Sequence, residues 1–392
     1  MIYLDNASTT FHKPRCVKKI VCKSLNHYTA NAGRSGHDFA IKTYAKLHEA
    51  RCCIAKTFAC SPERVIFTSG CTESLNLAIR GSCKIGGHVL VCAYSHNSVL
   101  RVVEHLKSVG KISYSVVFPN KKGYIEVDEL EKCKTSNTYM LIVNHISNVT
   151  GIKQDIEKLG KWAKSQGIYF LVDAAQSAGH SYIDIKKCNI TYLALAGHKG
   201  LLSLQGVGAL CVNDDAILKP IKYGGTGTES ENLTQPTSFP EGFESGTLGA
   251  INAISMGVGT SYAYKHFILI NNKILKLAQK LINFLMSDNT FILYSPKIAQ
   301  SGVVSFNIRG MQPNFVSQEL NEKFKIALRS GYACAPYVHQ YLDSARLGGV
   351  VRVSVGANNS LRQINKLIKA LKKIKEQNYN KSNAWQYITK FV

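Results

Sequence analysis

The sequence predicts an α/β protein, because short apolar runs alternate with stretches of helical periodicity and most of the runs are apolar throughout instead of alternating. A strand that is apolar on both faces belongs in a sheet covered by helices on both sides. The runs at 65–68, 89–92, 113–118, 139–144, 169–173, 192–195 and 208–212 read as strands of one such sheet. Between them, 156–166 has helical spacing and is stopped by a glycine at 167, as a crossover helix should be. The glycine-rich stretch 223–228, continuing to 243–248, reads as a long irregular loop of the kind that carries function. From about 255 to 288 a lysine-studded amphipathic helix leads into a second unit, where 303–308 and 351–355 read as strands of a smaller α+β domain. The expected division is an N-terminal segment 1–14 that packs with the small domain, a large domain 15–255 and a small domain 256–392.

Composition fits a two-domain enzyme, at 392 residues and 45% apolar. No run of about 18 apolar residues marks a membrane span, and the N-terminus lacks the basic and apolar regions of a signal peptide, so the cytoplasm is the expected compartment. Twelve scattered cysteines predict free thiols, and without a pair of Cys-x-x-Cys motifs no metal is expected. The net charge of +23 would attract nucleic acid, an anionic membrane or an acidic protein. The lysines are dispersed, and the densest group, 366–375, alternates with apolar residues as the solvated face of a C-terminal helix does.

The chemistry centres on Lys199, which lies among glycines 26 residues after Asp173. A carboxylate at the end of an apolar strand is costly unless paired with a cation. An amine with such a partner is the layout that holds pyridoxal phosphate (PLP): Lys199 as the Schiff-base lysine, Asp173 keeping the pyridinium nitrogen protonated. Gln176 can donate to the cofactor's phenolate oxygen, and His198 is placed for its phosphate. The turn 69–73, with Cys71 and Thr72, follows a strand and opens a helix, which suits an anion; equally, Thr72 would serve as an ordinary N-cap. His96 follows a strand end and can stack on a ring, or be a satisfied polar residue. Asn148 lies beyond another strand end, within reach of cofactor or substrate, or is a turn asparagine. Cys334 sits in a loop between Gly331 and Pro336, as a mobile nucleophile or as one more thiol among twelve. Arg352, inside an apolar strand, needs an acid, and a substrate α-carboxylate would satisfy it.

Taken in order, Tyr3-Leu4-Asp5-Asn6-Ala7-Ser8-Thr9-Thr10, Asn31-Ala32-Gly33-Arg34-Ser35-Gly36-His37, Thr68-Ser69-Gly70-Cys71-Thr72-Glu73, Ser147-Asn148-Val149-Thr150-Gly151, Val172-Asp173-Ala174-Ala175-Gln176, Gly197-His198-Lys199-Gly200, Phe243-Glu244-Ser245-Gly246-Thr247 and Arg329-Ser330-Gly331 through Pro336 resemble the class V aminotransferase family, and within it the cysteine desulfurases of the SufS-like group. The resemblance runs nearly end to end and is nearest a desulfurase-like subgroup. It implies the PLP-dependent transferase fold type I, with a mainly parallel seven-stranded sheet in the large domain. It implies Lys199, Cys334 and His96 as catalytic, His96 stacking on the ring and carrying a proton. Cofactor contacts implied are Cys71, Thr72, Asn148, Asp173, Gln176, His198 and Thr247, the last reaching across a homodimer. Substrate contacts implied are Arg352, Asn148 and Arg329, with Arg34 and His37 at the mouth of the site. Cys71 stands where the family commonly has a small residue or threonine. The implied reaction converts L-cysteine to alanine, with sulfur taken by Cys334 as a persulfide and passed to an acceptor, expected to be acidic, for iron–sulfur cluster assembly or thiolation. Selenocysteine lyase activity, or transamination or epimerisation of a small amino acid, is the alternative on the same site. A purely nucleic-acid-binding role is not expected, since a scaffold has no use for this constellation.

Overall fold

The structure is a computed structural model that describes the backbone at residues 1–33 and 35–388 and side chains up to 376. Among the described residues the strands are β1 (Ile2–Tyr3), β2 (Val65–Thr68), β3 (Gly87–Cys92), β4 (Ile112–Val117), β5 (Thr138–Asn144), β6 (Tyr169–Asp173), β7 (Tyr192–Ala196), β8 (Gly208–Val212), β9 (Phe291–Leu293), β10 (Val303–Ile308), β11 (Ile326–Ala327), β12 (Arg329–Gly331) and β13 (Val350–Ser354). The chain forms two compact units. The larger holds His12–Ile146 and Gln154–Phe267; the smaller gathers Met1–Phe11, Ser147–Lys153 and Ile268–Val392.

The larger unit is built on a seven-stranded sheet in the order β2-β8-β7-β6-β5-β3-β4. Strands β4, β3, β5, β6 and β7 are mutually parallel, and β8 runs antiparallel to both β7 and β2. Two reversals leave β2 pointing the same way as β7. The carboxyl ends of β2, β3, β6 and β7 therefore open on one edge of the sheet, where α/β proteins collect ligands. Strands β2, β3, β7 and β8 are buried along their whole length, which accounts for their largely apolar sequence. The edge strand β4 instead carries Ser113, Tyr114 and Ser115, partly open to solvent.

The helix expected over 255–288 is two helices, Ala250–Lys265 and Phe267–Met286, divided at His266. At the division the backbone turns out of helical geometry (φ −107°, ψ 18°), and the His266 ring nitrogen Nδ1 meets the Tyr262 carbonyl at 2.9 Å. The two halves also bury different surfaces. The first lies against helix Asp38–Phe58 so closely that a Cβ on Gly257 would sit 2.6 Å from Ala50, whereas the second buries Ile274, Leu277, Leu281 and Leu285.

In the smaller unit a four-stranded sheet, β12-β13-β10-β9, is antiparallel throughout, and β1 pairs in parallel with β11. The segment Ser147–Lys153 is tied in by Ser301, whose hydroxyl donates to the Gly151 carbonyl at 3.0 Å. Helix Leu361–Ile388 buries Ile364, Leu367, Leu371 and Ile374 and exposes Lys366, Lys369, Lys372 and Lys373. That is the solvated lysine face that its sequence predicts.

Candidate active site

Three carboxyl ends of the large sheet, those of β2, β6 and β7, supply one cluster. Asp173 closes β6 with only 2% of its surface exposed, and its Oδ1 accepts from the Ala175 amide at 2.9 Å and from the Cys71 thiol at 3.6 Å. Cys71 opens helix Cys71–Gly81 directly after β2. Burial and the Asp173 carboxylate push its thiol pKa well up, while the Lys199 charge pulls the other way. The three groups are therefore electrostatic neighbours. Lys199 follows β7 by three residues, in a turn closed by the Leu202 amide donating to its carbonyl at 3.0 Å. A Cβ on Gly200 would stand 2.2 Å from the Ala178 carbonyl, so the turn beside Lys199 needs glycine to lie against the loop that follows Asp173.

The helix after β2 is capped at Gly70 with no side-chain hydrogen bond, and Thr72 is exposed in its first turn. The N-cap role open to Thr72 from sequence is thus filled by Gly70, because the strand runs straight into the helix two residues earlier. Glu73 instead reaches back to accept from the Ser69 amide at 2.6 Å. His96 caps helix Asn97–Ser108: its Nδ1 accepts from the Ser98 amide at 3.0 Å and meets the Ser98 hydroxyl at 2.8 Å. The cap fixes the plane of the ring and leaves Nε2 as the protonated nitrogen of the neutral form. Gln176 is buried one turn beyond Asp173.

Lys13 belongs to this cluster and carries no local signal in the sequence. Its ammonium donates to the His198 carbonyl at 2.9 Å, on the peptide that leads into Lys199. Burial pulls Lys13 down to about 8. Burial, with the charges of Lys199 and Lys13 adding, pulls His198 down to about 4, so its imidazole is neutral.

The smaller unit holds a second cluster. Arg352 lies on β13 with 2% exposure. Its Nη1 donates to the Asn148 carbonyl at 3.0 Å, and its Nη2 to Asp5 Oδ1 at 2.6 Å and to the Ser8 hydroxyl at 2.9 Å. Nε is buried without a partner among the described residues. The acid that this guanidinium requires is thus supplied in part by the chain itself, through Asp5. Burial lowers the Arg352 pKa and Asp5 opposes the shift. Asn148 is 6% exposed and donates from Nδ2 to the Ala333 carbonyl at 2.7 Å. Arg329 donates from Nη1 to Ser8 at 3.2 Å and from Nη2 to the Cys334 sulfur at 3.5 Å. The Cys334 sulfur is thus in contact with one guanidinium and within the field of a second.

The remaining expected residues that the structure describes lie elsewhere in the larger unit. His37 is exposed and caps helix Asp38–Phe58, its Nδ1 accepting from the Ala40 amide at 3.3 Å. Arg34 is outside the described residues. Thr247 is exposed on a loop that shares a cavity with Ser69 and Glu73. Glu244 anchors that loop through a two-pronged pair with Arg51, at 2.8 and 2.9 Å, and by accepting from the Phe67 amide.

The family model Aminotransferase class-V matches residues 2–367. The chain belongs to the class-V aminotransferase family. Members of this family use PLP, and the fold here, an α/β unit with a mostly parallel central sheet, is theirs. Among its relatives, a probable cysteine desulfurase of Methanothermobacter thermautotrophicus is 32% identical over 380 residues, covering 95% of this chain and 94% of the relative. The cysteine desulfurase IscS of Pseudoalteromonas translucida is 30% identical over 345 residues, covering 85% and 80%. The apo structure of a cysteine desulfurase from Thermococcus onnurineus superposes with a TM-score of 0.89 at 30% identity, over 96% of this chain and 95% of that one.

Proposed function

We propose that this class-V aminotransferase is a PLP-dependent cysteine desulfurase, and the observation that carries the reading is Cys334 held against Arg329 in the same cluster as Arg352. The residues of the larger unit fit the cofactor. A buried carboxylate, a neighbouring lysine amine and a helix amino end without a side-chain cap are what a pyridinium, an aldehyde and a phosphate each need. Lys199 would bind the aldehyde carbon, Asp173 hold the proton on the ring nitrogen, and Gln176 donate to the phenolate oxygen. Thr72, the amide of Cys71 and neutral His198 would take the phosphate, joined by the partner subunit's Thr247. His96, its plane set by the Ser98 cap, would stack on the ring and carry a proton at Nε2. Bound there, PLP supplies an electron sink that lets the substrate's α-carbon lose its proton.

Arg352, Asn148 and Arg329 would be the substrate contacts, and Cys334 would be the nucleophile. Arg352 offers its buried Nε to the substrate carboxylate, with Asn148 and Arg329 beside it. The Cys334 thiolate attacks the substrate sulfur: the carbon–sulfur bond breaks, a sulfur–sulfur bond forms, and alanine and a Cys334 persulfide are the products. His37 would lie at the mouth of the site in this reading. A homodimer is supported by Phe39, Ile41 and Tyr44, exposed on helix Asp38–Phe58, where a lone protomer gains nothing from apolar surface. The net charge of +23 supports an acidic sulfur acceptor, and we place the protein in the cytoplasm, in iron–sulfur cluster assembly or thiolation.

Purified protein given L-cysteine and a reductant, with no keto acid present, is expected to release alanine and sulfide in equal amounts. Alanine that appears only when a keto acid is added would replace this reading with transamination.

A further inference from the structure

One buried imidazole of the smaller unit has no part in the chemistry proposed above. His339, on helix Pro336–Tyr341, is fully buried. Its Nε2 lies 3.0 Å from the Tyr332 carbonyl and its Nδ1 lies 2.8 Å from the Ser344 hydroxyl. A carbonyl only accepts, so Nε2 carries the proton and Nδ1 accepts from Ser344, which defines a neutral tautomer. Burial, which pulls the His339 pKa down, favours the same form.

The carbonyl that His339 holds is two residues before Cys334. Between them the chain takes a turn in which Ala333 (φ 45°) and Cys334 (φ 61°) are both left-handed, a conformation that residues with a Cβ adopt only when their surroundings impose it. The restraints on this turn are few. The Ala335 amide shares the Tyr332 carbonyl at 3.0 Å, Asn148 holds the Ala333 carbonyl at 2.7 Å, and the Tyr332 hydroxyl donates to the Ala345 carbonyl at 3.2 Å. His339 spans the gap. Its ring lies 4.8 Å from the Tyr332 ring, and through Ser344 it fastens the turn to the corner after the helix, where the Gly349 amide donates to the Ser344 carbonyl at 3.0 Å.

We propose that His339 is a positioning residue for Cys334: by holding the Tyr332 carbonyl and the Ser344 hydroxyl at once, its neutral ring fixes the left-handed turn that sets the thiol against Arg329. The kinetic consequence rests on Cys334 being the sulfur acceptor. The geometric claim does not.

The test follows the rate of alkylation of the Cys334 peptide by iodoacetamide at about pH 8, by mass spectrometry, in the cofactor-loaded protein. In His339→Leu the turn loses its tie and opens more often, and alkylation speeds up by about tenfold. In His339→Gln the side-chain amide still reaches the Tyr332 carbonyl, and the rate stays at the wild-type value. Should the leucine variant not fold, His339→Asn replaces it, since its shorter amide falls at the Nδ1 position and misses that carbonyl. With L-cysteine as substrate, the variant lacking the tie loses about a hundredfold in kcat while KM stays near wild type. A folded His339→Leu or His339→Asn protein with the wild-type alkylation rate would overturn the proposal, as would a His339→Gln protein impaired as much as they are. A wild-type protein that releases no sulfide would sink the desulfurase reading and leave the alkylation result to decide on His339.

Discussion

Removing Asp5 tests how Arg352 is kept ready for a carboxylate. The pair joins a guanidinium of 2% side-chain exposure to a carboxylate of 21% at 2.6 Å. At that separation the attraction of two unit charges is about 6 kcal/mol at an effective dielectric of about 20, as a gross figure before desolvation. Desolvation of Arg352, the partial exposure of Asp5, and the contacts that Arg352 keeps with Ser8 and the Asn148 carbonyl reduce this. Truncating one partner of a buried pair costs about 3–5 kcal/mol, and Asp5→Ala is expected at the lower end, about 3 kcal/mol. Denaturant unfolding of the wild type and Asp5→Ala, followed by circular dichroism, measures the difference. The variant should also regain stability when L-alanine is added, because a free carboxylate takes the vacated place; at a hundredfold excess over its Kd the gain is about 2.7 kcal/mol. Asp5→Ala within about 0.5 kcal/mol of wild type, with no response to alanine, would refute the claim that Asp5 balances a buried charge which a substrate carboxylate can also answer.

Lys199→Ala should lose the visible absorbance of the PLP-loaded protein while keeping its fold by circular dichroism; an unchanged spectrum would remove Lys199 from its assigned role. Lys13 sits at about 8, below the ordinary 10.5 of a lysine, so the unfolded chain binds the extra proton between those values. The stability of the wild type relative to Lys13→Met should therefore rise between pH 8 and 10.5, by about 1–2 kcal/mol after solvent screening of a half-buried group, and a flat difference in that window would contradict the assignment. With its thiol pKa pushed well up, Cys71 should be alkylated far more slowly at pH 8 than Cys334, as peptide mapping would show.

The sheet was legible in the sequence because most of its strands are buried on both faces, so they announce themselves as largely apolar runs whatever their neighbours do. The strand-end residues Asp173 and Lys199 were legible for the same reason: a polar group at the end of such a run stands out. Long-range partners were not. Asp5 and Arg352 are 347 residues apart, and Lys13 and His198 are 185 apart, with nothing in the local pattern to join them. His339 carries no signal in the local sequence, since its meaning lies in the carbonyl it faces. The break at His266 was hidden because apolar periodicity continues on both sides of it, and only the change of buried face reveals two helices. The capping of the helix after β2 turned on how few residues separate strand and helix, which composition does not fix.

The central claim is that Cys334 takes sulfur from cysteine. Mass spectrometry of the Cys334 peptide, after a single turnover of the PLP-loaded protein with L-cysteine and no reductant, tests it directly. The account predicts a mass increase of one sulfur atom on Cys334, removed by a thiol reductant, with alanine formed in the same amount and both lost in Cys334→Ala. Alanine formed at the wild-type rate by Cys334→Ala, or sulfur found on another cysteine while Cys334 stays unmodified, would contradict it.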